Sequence, residues 1–180
     1  PYKLICKLIN HTLKTKGSQI IQITQKMISS DNEHSVRGEK MSFEALRKAM
    51  VDSKIRPNKV FEQHVIDAFL AVPRELFVPK HLQNIAYIDE DISLSGGRYI
   101  MEAMVIARLF QLLDIKKTDS VMSVASGTGY ASAVLSYLSE SVIGIETRAP
   151  MVEKAQNNMS TLGIGNVAFV KSRLQDGLAS

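Results

Sequence analysis

The chain has 180 residues, 45% of them hydrophobic, and a formal net charge of +4 at pH 7. This length allows one ordinary domain with a core, and no apolar run approaches the roughly 20 residues that a bilayer span needs. The single cysteine, Cys6, excludes an internal disulfide framework and suits a reducing, cytoplasmic compartment. The four histidines are scattered without ligand-like spacing, so we expect no metal site.

The positive charge is confined to the start of the chain. Residues 1–40 carry seven Lys or Arg and three Asp or Glu, whereas residues 41–180 carry fifteen of each. Because a nucleic-acid-binding domain has its basic face on the folded part, we expect no nucleic-acid partner. Residues 1–40 are predicted to be a basic extension, disordered or non-native. A transit peptide is the alternative, which the lack of arginine before Arg37 disfavours.

From residue 41 onward the sequence predicts helices first, and then alternating strands and helices. Ser42 is the expected N-cap of a helix that Pro57 ends. Further helices are predicted at about 59–70, 81–87, 102–113, 130–138 and 150–162, and strands at 120–125, 141–146 and 167–171. Strand–helix alternation with short connections predicts a right-handed parallel α/β sheet, preceded by an N-terminal helical cap.

A glycine turn follows the first of these strands. Gly127 and Gly129 allow the backbone to approach a ligand closely, and Glu146 ends the next strand, where an acid can accept hydrogen bonds from ribose hydroxyls. A dinucleotide site prefers a third Gly or Ala, but Ser132 stands there. The pattern therefore favours S-adenosyl-L-methionine over a dinucleotide, with an NAD-dependent enzyme or a purely structural turn as alternatives.

Four segments together resemble the protein-L-isoaspartate O-methyltransferase family: "AVPRELFVP" (71–79), "VIARLFQLL" (105–113), "SGTGYASAVLS" (126–136) and "VIGIE" (142–146). The resemblance covers about residues 41–177. It implies methyl transfer from S-adenosyl-L-methionine to the α-carboxyl group of isoaspartyl residues in damaged proteins, which begins repair by way of a succinimide. It also implies a cytoplasmic enzyme without a metal, and we expect a monomer.

The implied fold is the Rossmann-like methyltransferase domain, a parallel sheet with helices on both faces. In this reading residues 41–118 form the N-terminal helical cap and substrate-loop region, and residues 119–180 form the first half of the Rossmann-like domain. The family's remaining strands lie beyond this stretch, so we expect an incomplete sheet and a truncated sequence.

The resemblance also assigns site residues. The cofactor loop would be Ala125, Ser126, Gly127, Thr128 and Gly129, with Glu146 as the ribose acid. The family's Gln-Thr-Ile-Ser-Gln-Pro loop, which lies over cofactor and acceptor, falls on Arg98, Tyr99, Ile100, Met101, Glu102 and Ala103.

Several positions depart from the family pattern. Met101 replaces a serine implicated in positioning the reacting groups, and a thioether makes no strong hydrogen bond, so we expect it to pack in the pocket or against the cofactor. Glu102 brings an acid near an anionic acceptor, for which Arg98 or another cation could compensate. Ala125 stands where the family often has glycine and is tolerable if its φ is negative. The alternatives are a methyltransferase with another acceptor, or a cofactor-binding homologue without repair activity.

The family's Gly-Asp after the third strand is also missing. Ser172 and Arg173 stand at that place. The nearby Asp176 could take over the role of the family aspartate only if this loop has a different course.

Overall fold

The computed structural model describes residues 41–177, which form helices, a small antiparallel pair of strands and a parallel sheet. The predicted basic extension, residues 1–40, lies outside the described residues. The α-helices are α1 (Phe43–Met50), α2 (Gln63–Ala71), α3 (Ala103–Leu113), α4 (Tyr130–Ser136) and α5 (Ala149–Leu162). The strands are β1 (Ile92–Ser93), β2 (Tyr99–Ile100), β3 (Ser120–Val124), β4 (Ser141–Glu146) and β5 (Val167–Lys171).

The predicted start of α1 is confirmed, because the Ser42 hydroxyl accepts a hydrogen bond of 3.1 Å from the Ala45 amide. The helix continues as a wider π turn, Val51–Ile55, and a 3-10 turn that contains Pro57. Lys59 then takes a left-handed conformation, with φ 63°, and the chain reaches α2 later than predicted.

The short helix predicted at 81–87 is present, but it is not an α-helix. This segment is a 3-10 helix, Lys80–Ile85, in which the Leu82 amide bonds the Pro79 carbonyl at 2.8 Å. A second 3-10 helix, Arg74–Phe77, precedes it. Pro73 and Pro79 each precede one of these segments in an extended conformation, so the chain is divided into pieces too short for a stable α-helix.

The three long strands form the predicted parallel sheet, in the order β3-β4-β5. Val121 is opposite Val142, and Gly144 is opposite Phe169. The predicted bounds of β4 and β5 are confirmed, and β3 ends one residue early, at Val124. β1 and β2 pair as a short antiparallel hairpin, which the sequence did not predict.

In the described part of the chain, α4 and α5 pack on one face of this sheet. Val142 and Phe169 belong to the same buried cluster as Ala133 and Ala155 of these helices. Met122, Val124 and Val170 point to the other face and are exposed. The loop that follows β3 therefore lies beside α4 and α5, at the carboxyl ends of the strands.

Candidate functional site

The glycine turn between β3 and α4 has a left-handed backbone at three positions. Ala125, Gly127 and Gly129 have φ angles of 61°, 54° and 92°. A Cβ at residue 129 would lie 2.9 Å from Cζ of Phe169, so only glycine fits there. The condition under which alanine would be tolerable at residue 125, a negative φ, is not met: Ala125 adopts a conformation that favours glycine, because the chain must turn sharply away from β3.

The turn is held by side chains from distant segments. The buried Thr128 hydroxyl donates to the Phe77 carbonyl at 2.7 Å, and the Asn158 amide group donates to the Thr128 carbonyl at 2.9 Å. The Ser126 amide bonds the Ile145 carbonyl at 3.1 Å. The "VPRELFVP" segment, which includes Phe77, thus helps to fix the shape of the turn.

Glu146 lies beside this turn as predicted, and its carboxylate is fully buried. Its Oε2 accepts from the Gly127 amide at 3.1 Å, and its Oε1 accepts from the Thr147 amide at 2.7 Å, the Thr147 hydroxyl at 3.1 Å and the Arg148 amide at 3.2 Å. The structure therefore brings the predicted ribose acid and the predicted cofactor loop together.

Arg98 also binds Glu146, a pairing that the sequence did not suggest. Its Nε lies 2.9 Å from Oε2 and its Nη2 lies 3.0 Å from Oε1, a bidentate ion pair. Burial acts to raise the pKa of Glu146, but the hydrogen bonds from Arg98, Thr147 and Gly127 outweigh it and lower the pKa to about 2. The acid is thus ionised and saturated with donors.

Residues at the predicted substrate loop have different environments. Tyr99 is 50% exposed in β2, whereas Ile100 is buried. Met101 is partly buried and packs against the hydrophobic core. Ala103 begins α3 and is buried.

Glu102 lies among other carboxylates. Its amide donates to Asp91 at 2.7 Å, so Asp91 caps α3. Burial, and then the neighbouring Asp89 and Asp91, raise the pKa of Glu102 above its usual value. Arg98 pairs with Glu146, and Lys54 forms an ion pair of 2.9 Å with Asp89. Arg98 is therefore engaged with Glu146, and the cation that favours ionisation of Glu102 is Lys54, which pairs with Asp89.

Arg74 is a residue whose role the sequence did not reveal. Its side chain is fully buried, with the guanidinium 4.7 Å from the centre of the Tyr130 ring. Its Nε donates to the Ala86 carbonyl at 2.7 Å, and its Nη2 donates to the Met101 carbonyl at 2.8 Å. The available signal was an arginine in the short segment between Pro73 and Pro79.

The predicted substitute for the family aspartate after β5 has a partner of its own. Asp176 forms an ion pair of 2.6 Å with Arg173 at the surface. Within residues 41–177, no three His, Cys, Asp or Glu side chains are arranged to hold a metal ion, and no helix is long and apolar enough to cross a membrane.

Comparison with known families gives one consistent match. Residues 45–179 match the family model described as protein-L-isoaspartate(D-aspartate) O-methyltransferase. Protein-L-isoaspartate O-methyltransferase 2 of an Anaeromyxobacter species is 34% identical over 129 residues, which are 72% of this chain and 53% of that protein. The Petrotoga mobilis protein-L-isoaspartate O-methyltransferase is 32% identical over 72% of this chain and 61% of its own length. The chain thus spans little more than half the length of the curated relatives it matches.

Solved structures agree. A protein-L-isoaspartate O-methyltransferase superposes with a TM-score of 0.63 and 26% identity, over 73% of this chain and 44% of that chain. A putative protein-L-isoaspartate O-methyltransferase from Plasmodium falciparum, in complex with S-adenosyl-L-homocysteine, gives a TM-score of 0.57 at 22% identity, over 74% of this chain and 64% of that chain. The second likeness supports the fold alone.

Proposed function

The chain belongs to the protein-L-isoaspartate O-methyltransferase family, as its motifs predicted, and we propose that it takes part in S-adenosyl-L-methionine-dependent methylation of the carboxyl group of L-isoaspartyl residues in damaged proteins. The proposed partners are isoaspartyl-containing proteins or peptides, and the proposed compartment is the cytoplasm. We further propose that residues 41–118 are the cap and substrate-loop region, and that residues 119–180 are the first half of the Rossmann-like domain.

The observation that carries the proposal is the buried Glu146 carboxylate beside the Gly127 amide. The two lie at the carboxyl ends of neighbouring parallel strands, where ligands bind in open α/β sheets. An ionised carboxylate at that place accepts two hydrogen bonds from the hydroxyls of a ribose. With the turn from Ala125 to Gly129 next to it, the arrangement suits an adenosine group, which S-adenosyl-L-methionine carries.

Methyl transfer of this kind requires the protein to align the two reacting groups, and it does not require acid–base catalysis. The cofactor, which Glu146 and the turn from Ala125 to Gly129 would hold, would supply an electrophilic methyl group, and its transfer from sulfur to an oxygen of an ionised acceptor carboxylate would leave a methyl ester and S-adenosyl-L-homocysteine. The protein therefore has to orient the two groups and exclude water. Thr128 fixes the cofactor side of the proposed site through Phe77, and Arg74 fixes the main chain of Met101 on the acceptor side.

A second candidate rests on Met101. Its side chain packs against the core and supplies no strong hydrogen-bond donor or acceptor at the position of the family serine. A related methyltransferase with a different acceptor, or a homologue that binds the cofactor without repair activity, is the alternative function.

Two measurements on the intact protein test the proposal. Calorimetry with S-adenosyl-L-homocysteine, and with NAD as the comparison ligand, tests the cofactor. Transfer of a labelled methyl group to a peptide that contains one L-isoaspartyl residue tests the acceptor, with the same peptide containing L-aspartate as the control. We expect binding of S-adenosyl-L-homocysteine alone and methylation of the isoaspartyl peptide alone. Binding of NAD in its place would overturn the cofactor, and binding without methylation would favour the second candidate.

A further inference from the structure

The carboxylate of Glu146 accepts more hydrogen bonds than its lone pairs can accommodate with good geometry. Six hydrogen bonds reach its two oxygens, four at Oε1 and two at Oε2, and two of the six come from Arg98. A carboxylate offers about four lone-pair positions. A ribose diol needs two of them, so the diol can bind Glu146 fully only when some of the present donors leave.

The donors differ in how readily they can leave. Gly127, Thr147 and Arg148 donate from the main chain at the ends of β3 and β4, and the Thr147 hydroxyl belongs to a residue adjacent to Glu146. These groups are fixed by the sheet. Arg98 reaches Glu146 from 48 residues away through a long side chain that is 21% exposed. Arg98 is therefore the donor that solvent and a ligand can displace.

The segment around Arg98 allows such a displacement without unfolding. Gly96 and Gly97 precede it, both with φ 71°, in a short turn. After it, the chain is anchored by the β1–β2 pairing and by the bond from Arg74 to the Met101 carbonyl. A change of partner by Arg98 thus needs movement of its side chain and of the glycine turn alone.

A second guanidinium adds to the tendency of Arg98 to move away once it is displaced. A Cβ at Gly96 would lie 1.1 Å from Nη1 of Arg148, so the Arg148 guanidinium rests directly against this turn. While Arg98 is bound to Glu146, its charge is neutralised by the carboxylate. The two guanidinium groups carry like charges, so Arg148 disfavours a position of the displaced Arg98 next to Gly96.

We propose that Arg98 is an internal competitor of the cofactor: it holds the ribose-binding carboxylate of Glu146 until the ribose diol displaces it, and the displacement releases the turn at residues 95–98. This inference rests on the proposed function, since it takes Glu146 as the ribose acid. If Arg98 competes in this way, the affinity for the cofactor depends on the Arg98–Glu146 ion pair. Cofactor binding is then also coupled to the conformation of residues 95–98, which lead into Met101.

The affinity for S-adenosyl-L-homocysteine, measured by calorimetry, tests the competition. Gln is the residue of the family motif at this position, and it removes the charge and the bidentate pair. We expect R98Q to bind roughly tenfold more tightly than the wild type, the factor that follows if the pair is formed in about nine-tenths of the free molecules. R56Q removes one surface arginine that pairs with Asp52 and is the matched control, with an unchanged dissociation constant expected.

A double substitution shows whether the effect passes through Glu146. The gain from R98Q should vanish in an E146Q background, where the competing ion pair no longer exists. Equal or weaker binding by R98Q than by the wild type would overturn the competition and leave the proposed cofactor intact. If neither protein binds S-adenosyl-L-homocysteine, the proposed cofactor and this inference both fail.

Hydrogen exchange of the wild-type protein gives a readout that needs no variant. A ligand usually protects the segments it covers, but displacement of Arg98 predicts faster amide exchange in residues 95–99 when S-adenosyl-L-homocysteine is added. Slower exchange in this segment would contradict the proposal.

Discussion

Arg74 holds the main chain at Met101: its Nη2 donates to the Met101 carbonyl at 2.8 Å, although 27 residues separate the two. The same guanidinium bonds the Ala86 carbonyl and lies over the ring of Tyr130. A buried cation therefore holds the main chain of residue 101 through its carbonyl group. Replacement of the family serine by methionine thus removes a hydroxyl group at residue 101, while the hydrogen bond from Arg74 to the main chain of this residue remains.

We expect Arg74→Lys to destabilise the protein by about 2 kcal/mol, because lysine keeps the charge but cannot direct two hydrogen bonds from one planar group. Amide exchange near Met101 should also become faster, since the loop loses its anchor. Urea unfolding and hydrogen exchange measure the two effects. Arg56→Lys is the control, since Arg56 is exposed and pairs with Asp52 at 3.3 Å; we expect it to change stability by less than about 0.5 kcal/mol. Equal effects of the two changes would contradict an anchoring role for Arg74.

Ala125→Gly should stabilise the protein by about 1 kcal/mol, because Ala125 has φ 61° and an L-residue with a Cβ is strained there. This change also restores the residue that the family often has. Thermal or urea unfolding measures the difference in the free energy of unfolding. Ala131→Gly, within α4, is the matched control and should destabilise by roughly 0.5–1 kcal/mol. A loss of stability in Ala125→Gly would show that the left-handed conformation costs little here.

The hydrogen bonds to Glu146 predict that the free energy of unfolding falls at low pH. The folded-state pKa of about 2 lies below the ordinary value of 4.5, so between these pH values the unfolded chain binds more protons than the folded protein. The stabilisation is thus fully present above about pH 4.5 and is lost as the pH falls toward 2, by an amount on the order of 3 kcal/mol.

The matching measurement is the free energy of unfolding of the wild type and of Glu146→Gln at several pH values between 2 and 6. We expect Glu146→Gln to be less stable near neutral pH and to lose less stability on acidification. Asp176→Asn is the control, because the Arg173–Asp176 pair is at the surface and a pair of this kind contributes at most about 1 kcal/mol. Parallel pH curves for the wild type and Glu146→Gln would contradict the low pKa.

The sequence predicted the sheet and most of the helices well, because their signals are local. The apolar runs of β4 and β5 end where the prediction placed them, and Ser42 caps α1 through its own hydroxyl. The short helix predicted at 81–87 is also present, and its neighbouring prolines leave it as a 3-10 helix.

Sequence motifs and their spacing predicted only part of the site. The juxtaposition of Glu146 and Gly127 follows from two parallel strands in register, which a sequence can show. The ion pair of Arg98 with Glu146 joins segments 48 residues apart through one side chain, and no periodicity encodes such a contact. The sign of φ at Ala125 stayed open for a related reason, since alanine carries no signal for a left-handed turn.

Met101→Ser tests whether this position limits acceptor methylation. If the proposed function holds, a hydroxyl on the anchored main chain can help orient the reacting groups, and we expect kcat/KM for an isoaspartyl peptide to rise about tenfold, the effect of one added hydrogen bond in the transition state. Because Met101 is partly buried, the change should also cost about 1–2 kcal/mol of stability, which urea unfolding would detect. Met101→Ala removes the same thioether without supplying a hydroxyl, so an equal gain from both variants would assign the effect to space rather than to hydrogen bonding. Unchanged background methylation by Met101→Ser, in a protein that still binds S-adenosyl-L-homocysteine, would count against an isoaspartyl acceptor and favour another one.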